Sequence, residues 1–172
     1  MRQIGIEPDL IKAPAIDETP LKAELPRLCA LRLAAAKADA LAAPDAYVLG
    51  ADTIVACGRR QLPKALDEKH ARQCLTLLSG RRHQVISAFK VIAPDGRSKT
   101  GVSISRVAFK RLSESEIADY LESREWHGKA GGYAIQGRAA GFIRFLEGSY
   151  SGVVGLPLFE VAQAFKGLGF WQ

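Results

Sequence analysis

Gln84–Phe109 reads QVISAFKVIAPDGRSKTGVSISRVAF, two runs rich in Val, Ile and Phe on either side of Pro94-Asp95-Gly96. β-Branched and aromatic side chains suit a pleated surface, and a Pro-Asp-Gly turn sends the chain back on itself. Gln84–Ala93 and Lys99–Phe109 are therefore expected to pair as an antiparallel hairpin. Outward from it, extended and helical patterns alternate. Tyr47–Ala56 (YVLGADTIVA) is a further strand, interrupted by the polar pair Asp52-Thr53, and Ala140–Leu146 is another. Ile4–Lys12 reads as a short extended stretch. A helix is expected from Pro20 to about Ala42, capped by Thr19, with Leu21, Leu25, Leu28, Leu31 and Ala35 on its packing face. Others run from Asp67 to Ser79, stopped by Gly80, from a Ser113/Glu116 capping box to about Ser123, and from Pro157 to Lys166. A hairpin set among alternating elements predicts an α/β or α+β fold with a mixed sheet, not a strictly doubly wound one.

The chain of 172 residues is long enough for one domain with a substantial core, and no repeat, low-complexity tract or linker divides it. Its net charge of +6 favours an anionic partner: nucleic acid, a membrane surface or a phosphorylated small molecule. The basic residues are scattered, with pairs such as Arg59-Arg60 and Arg81-Arg82, and no nucleic-acid-binding motif adjoins these, so nucleic acid is not the expected partner. Cys29, Cys57 and Cys74 are widely spaced and do not cluster with the histidines, which argues against a zinc site or a disulfide framework. No apolar run reaches the roughly 20 residues of a spanning helix, and the start lacks a signal-peptide layout, so a cytoplasmic location without a membrane partner is expected.

Asp52 is the sharpest single feature. A carboxylate inside an apolar strand must be paired, bound to a cation or turned to solvent at the end of the buried segment. Glu18 lies ahead of the first long helix, where an acidic residue suits the helix dipole with or without a function. Lys37, near that helix's end where a cation suits the dipole, and Lys64, after a loop containing Gly58 and Pro63, each read on their own as solvated surface charges before they read as site cations. The glycine-rich Gly128–Gly137 stretch would let backbone approach a flat ligand, or simply make a tight turn. Gly58–Lys64 lacks the Gly-Lys-Ser/Thr ending of a phosphate-binding loop, which excludes that mechanism.

Ordered along the chain are Asp17-Glu18-Thr19-Pro20, Arg32-Leu33-Ala34 with Lys37-Ala38, Leu49-Gly50-Ala51-Asp52-Thr53-Ile54-Val55, Leu77-Leu78-Ser79-Gly80-Arg81-Arg82-His83-Gln84-Val85, Lys129-Ala130-Gly131-Gly132-Tyr133-Ala134-Ile135-Gln136-Gly137 and Gly148-Ser149-Tyr150-Ser151-Gly152-Val153-Val154-Gly155-Leu156-Pro157-Leu158. This set resembles the Maf family of nucleoside triphosphate pyrophosphatases over nearly the whole chain. The resemblance implies an α/β fold of the Maf and inosine-triphosphatase-like type, a mixed twisted sheet with flanking helices around a deep cleft, spanning residues 1–172. It implies hydrolysis of a nucleoside triphosphate to the monophosphate and pyrophosphate with Mg²⁺ or Mn²⁺. Asp52 would be the general base, Asp52 and Glu18 would hold the metal, and Lys37 and Lys64 would neutralise the phosphates. Thr53 and Gln136 match positions associated with choice of base, and Lys129 would join them in binding substrate. The Ser-Gly-Arg-Arg-His-Gln-Val and Ala-Gly-Gly-Tyr-Ala-Ile-Gln-Gly forms resemble the dTTP and UTP branch, and a Gln136 amide can pair with a pyrimidine imide edge. A homodimer is also implied, and a nucleotide-binding regulator of septum formation is the alternative role.

Three departures stand out. The resemblance aligns Met1-Arg2-Gln3-Ile4 after the family's opening strand and its Ser-x-Ser-Pro-Arg-Arg phosphate clamp, so the expectation is either a shortened product or a version that lacks the clamp and one strand. Pro63-Lys64-Ala65 replaces the usual Gly-Lys-Pro, and His127-Gly128 stands where many members place an aspartate before the lysine.

Overall fold

The computed structural model describes residues 1–171. Its centre is the expected hairpin, formed by β3 (Arg82–Ile92) and β4 (Ser98–Phe109), in register from Arg82 opposite Ala108 to Ile92 opposite Ser98. The turn closes with Gly96 N donating to Ala93 O at 2.9 Å, and Gly96 takes the left-handed φ of 82° that a side chain would resist. Outside β3 lie β1 (Val48–Cys57) and then β2 (Arg60–Leu62); outside β4 lies β5 (Ile143–Glu147).

Every described pairing is antiparallel, in the order β2-β1-β3-β4-β5, so the mixed sheet of the sequence reading is corrected while the α/β layering stands. The reason is topological. The crossover from β2 to β3 through α2 (Glu68–Leu78) joins strands of like direction, but β1 sits between them.

Helix α1 (Pro26–Asp39) begins six residues later than Pro20. Pro26 excludes Leu25 from helical φ/ψ, leaving it extended at φ −69°, ψ 142°. Thr19 is therefore no cap: its N–H donates to Asp17 Oδ1 at 2.9 Å. Nor does the leucine face pack, since Leu21, Leu25 and Leu28 are exposed and the buried face is Cys29, Ala30, Leu33, Ala34 and Ala38. Small side chains win because they let the helix lie close to β1. A Cβ on Gly50 would stand 2.4 Å from both Ala34 O and Ala38 N.

Elsewhere the local chemistry acts as expected. Asp67 caps α2 by accepting from His70 N at 2.8 Å, and Ser113 and Glu116 form the capping box of α3 (Glu114–Glu122). Two short elements, β2 and α4 (Tyr150–Val154), precede α5 (Leu158–Gly167) and were not anticipated. Near the start, Arg2–Ile4 is a 3-10 turn and the expected extended stretch Ile4–Lys12 forms no strand; Arg138–Phe142 is a second 3-10 turn, so β5 opens at Ile143.

The sheet separates two apolar layers. Helix α1 buries Cys29, Ala30 and Leu33 against Ile54, Ala56, Ile86 and Ala88. On the other face Val55, Val85, Val107 and Phe109 pack with Leu75 of α2 and Tyr120 of α3, and α5 packs Val161 and Phe165 on Phe89 and Val91. Among the described residues, no helix is long and apolar enough to cross a membrane.

Candidate active site

Helix α1 delivers Lys37 from its last turn to the middle of β1. Lys37 Nζ meets Asp52 Oδ1 at 2.6 Å and Glu18 Oε1 at 2.7 Å, and Lys64 Nζ meets Glu18 Oε2 at 2.8 Å. Asp52 is therefore paired rather than turned to solvent: its side chain is 7% exposed, and a carboxylate so withdrawn needs a cation. Burial alone would push the Lys37 ammonium down, but its hydrogen bonds to Asp52 and Glu18 overcome that and hold it above its ordinary value. The same bonds, from Lys37 first and Lys64 second, draw Glu18 down to about 2.

Glu18 reaches this position because residues 17–25 are strapped to α1. Arg32 Nε and Nη2 donate to the two Glu24 carboxylate oxygens at 2.8 and 2.7 Å, and Arg32 Nη2 also donates to Thr19 O at 3.1 Å. This bidentate fork fixes the strap's direction as well as its distance. Lys64 is held by backbone. It bridges to Ala130, Ala65 N donates to Lys129 O at 3.1 Å and Gly128 N to Ala65 O at 2.8 Å. Pro63-Lys64-Ala65 thus holds its lysine firmly despite its unusual sequence. The glycines opposite make the approach possible: a Cβ on Gly131, at φ 68°, would lie 2.9 Å from Val55 Cγ1.

Between these segments opens a cleft of about 290 Å³, lined by Lys37, Asp52, Thr53, Lys64 and Lys129 and walled by Tyr133, Val153, Val154 and Gly155. The register of β2 on β1 starts at Val55, leaving Ala51, Asp52 and Thr53 beside the cleft. Side chains from both faces of β1 can therefore reach it. Tyr133 is set by a buried bond, its hydroxyl lying 2.8 Å from His83 Nε2. Burial pushes His83 down to about 4, so the imidazole is neutral at pH 7, and burial raises the Tyr133 phenol.

A family model described as Maf-like protein matches residues 1–168. The chain belongs to the Maf-like family. A protein of Paramagnetospirillum magneticum named dTTP/UTP pyrophosphatase is 59% identical over 172 residues, covering 99% of this chain and 90% of that relative. Proteins of the same name from Rhodospirillum rubrum and Caulobacter vibrioides are 57% and 52% identical, with 99% of this chain covered in each case and 82% and 89% of the relatives.

Within this Maf-like fold, Glu18, Lys37, Asp52 and Lys64 form one ion network, and Thr53 and Lys129 line the same cleft. Gln136 does not join them: it is exposed in the turn after Ile135, outside the cleft lining. The sequence reading did not single out Tyr133 or the Val153–Gly155 wall as site residues, although both lie in motifs quoted for the Maf resemblance. Their signal was glycine spacing, which marks a backbone path without saying what it faces.

Proposed function

We propose that this chain hydrolyses nucleoside triphosphates, dTTP and UTP above others, to the monophosphate and pyrophosphate. The observation that carries the proposal is Lys37 joined to both Asp52 and Glu18, with Lys64 on Glu18, at the floor of one cleft. A triphosphate needs cations placed on its oxygens and a base beside the attacking water, and the network holds both kinds of group. Lys37, Lys64 and Lys129 would bind the phosphates, and Asp52 would take the water's proton. Thr53 and the Val153–Gly155 wall, which line the same cleft, would meet the nucleoside. The names of the relatives support the pyrimidine preference.

Glu18 and Asp52 also suit a hard divalent cation. Their oxygens converge on one ammonium, and Mg²⁺ or Mn²⁺ is commonly held by one or two carboxylates together with substrate phosphates. No cluster of three or more His, Cys, Asp or Glu exists among the described residues to hold such an ion without substrate. Once bound, the ion would neutralise phosphate charge as the anhydride breaks. A cytoplasmic location and a homodimer complete the reading, the second checked by sedimentation.

The test is incubation with dTTP, UTP, CTP and GTP plus Mg²⁺ or Mn²⁺, with pyrophosphate and monophosphate quantified. Release from dTTP and UTP is expected. Triphosphate-dependent thermal stabilisation without any product would replace the enzyme by a nucleotide-binding regulator, of septum formation or another process.

A further inference from the structure

The Gly148–Pro157 stretch carries the cleft wall, and three hydroxyls on three adjacent strands hold it to the sheet. Thr53 on β1 lies directly opposite Ser87 on β3, which lies opposite Ser103 on β4. Ser105, two residues further along β4, shares that face. Thr53 Oγ1 reaches Gly155 O at 3.2 Å, Ser87 Oγ donates to Gly152 O at 2.6 Å, and Ser105 Oγ donates to Ser149 O at 3.1 Å. The carbonyls recur every third residue along the wall, so each strand meets one. Ser87 and Ser105 are each 1% exposed, which shields these bonds from water.

A count of protons singles out Ser87. A carbonyl only accepts, so the Ser87 proton is committed to Gly152 O. Thr53 Oγ1 also lies 3.0 Å from Ser87 Oγ, and the proton between those oxygens must then be Thr53's own. That one proton serves Ser87 Oγ and Gly155 O, so Thr53, which lines the cleft, offers a ligand only lone pairs. Ser87 thus sets the wall at Gly152 and the rotamer of Thr53 together.

We propose that Ser87 is a positioning residue for substrate binding, acting through Thr53 and the Ser149–Gly155 wall without touching the ligand. The proposal rests on the nucleotide reading above. Its effect belongs to binding rather than to the chemical step, because the Lys37–Asp52 pair takes no hydrogen bond from the hydroxyl row.

The experiment compares the full chain with Ser87→Ala, Ser87→Cys, Thr53→Ala and the double alanine variant. It measures dTTP turnover with Mn²⁺ and calorimetric binding of a dTTP analogue whose α and β phosphorus atoms are joined by methylene. Ser87→Ala should raise KM and the analogue's Kd about tenfold while kcat stays within about twofold. Ser87→Cys, a weaker donor of similar shape, should fall between, and the double variant should bind more weakly than Thr53→Ala alone, but by a smaller factor than Ser87→Ala costs the parent, because the Gly152 contact is lost while the Thr53 contact is already gone. A Ser87→Ala protein with a lowered Tm but KM and Kd within about twofold of the parent would be merely structural and would overturn the proposal. Should Ser87→Ala not fold, Ser87→Cys decides, an unchanged Kd again overturning it. If the parent binds the analogue but releases no pyrophosphate, the enzyme reading fails and the Kd comparison still decides the role of Ser87. If the parent neither binds nor turns over, both fall.

Discussion

Asp52 owes its place in β1 to Lys37, and the pair sets what each substitution costs. Asp52→Asn keeps the side-chain shape and removes the proposed base. Its kcat is expected to fall by about 10²- to 10⁴-fold with the circular dichroism spectrum unchanged, as pyrophosphate release would measure. Lys37→Met is worse for the fold, because it strands a carboxylate 7% exposed beside an apolar chain. A loss of about 3 kcal/mol is expected in urea unfolding, alongside the loss of turnover. At this scale the sequence showed which residues were unusual but not which of them meet. Asp52 was odd in an apolar strand, whereas Glu18, Lys37 and Lys64 each read first as surface charges. Only the strap tied by Arg32 to Glu24 and the bridge from Lys64 to Ala130 bring them together, and neither contact has a local sequence signal.

Among the elements, α1 is the most instructive. The leucine spacing suggested one packing face and the fold uses another, because β1 offers Gly50, and an alanine face can sit against it as a leucine face cannot. Gly50→Ala should therefore cost about 3 kcal/mol or more, since its Cβ would meet helix backbone rather than a movable side-chain end. The displaced helix carries Lys37, so turnover and Tm are expected to fall together, and full activity in a less stable protein would show that α1 does not set the site. The central hairpin, both carboxylate- or serine-capped helices and α5 were legible because turn, capping and alternation signals agreed. The short elements β2 and α4 were not, since three to five residues hold too little pattern. They form by pairing with β1 and by capping at Ser149, whose Oγ accepts from Gly152 N at 2.9 Å.

For the whole molecule, acid is the expected weak side. His83 is buried, bonded at Nε2 to Tyr133 and without a partner at Nδ1 among the described residues, and its folded value near 4 lies below the ordinary 6.5. The unfolded chain thus binds a proton that the folded chain refuses. The stability is complete above pH 6.5 and declines as pH falls towards 4, by on the order of 3 kcal/mol. Glu18 adds a second limb of the same sign, intact above 4.5 and lost as pH falls towards about 2. Thermal melts from pH 7 to pH 4 should show the first decline, and His83→Gln should flatten it; an equally steep decline in that variant would assign the acid sensitivity elsewhere.

The bridge between Lys64 and Ala130 closes a long loop that contains α2, the β3–β4 hairpin and α3. Joining chain ends so far apart is entropically unfavourable until the intervening segments have collapsed. During refolding, recovery of the cleft should consequently lag behind formation of the sheet, and a nascent or partly unfolded chain would carry its hairpin well before it could hold a nucleotide.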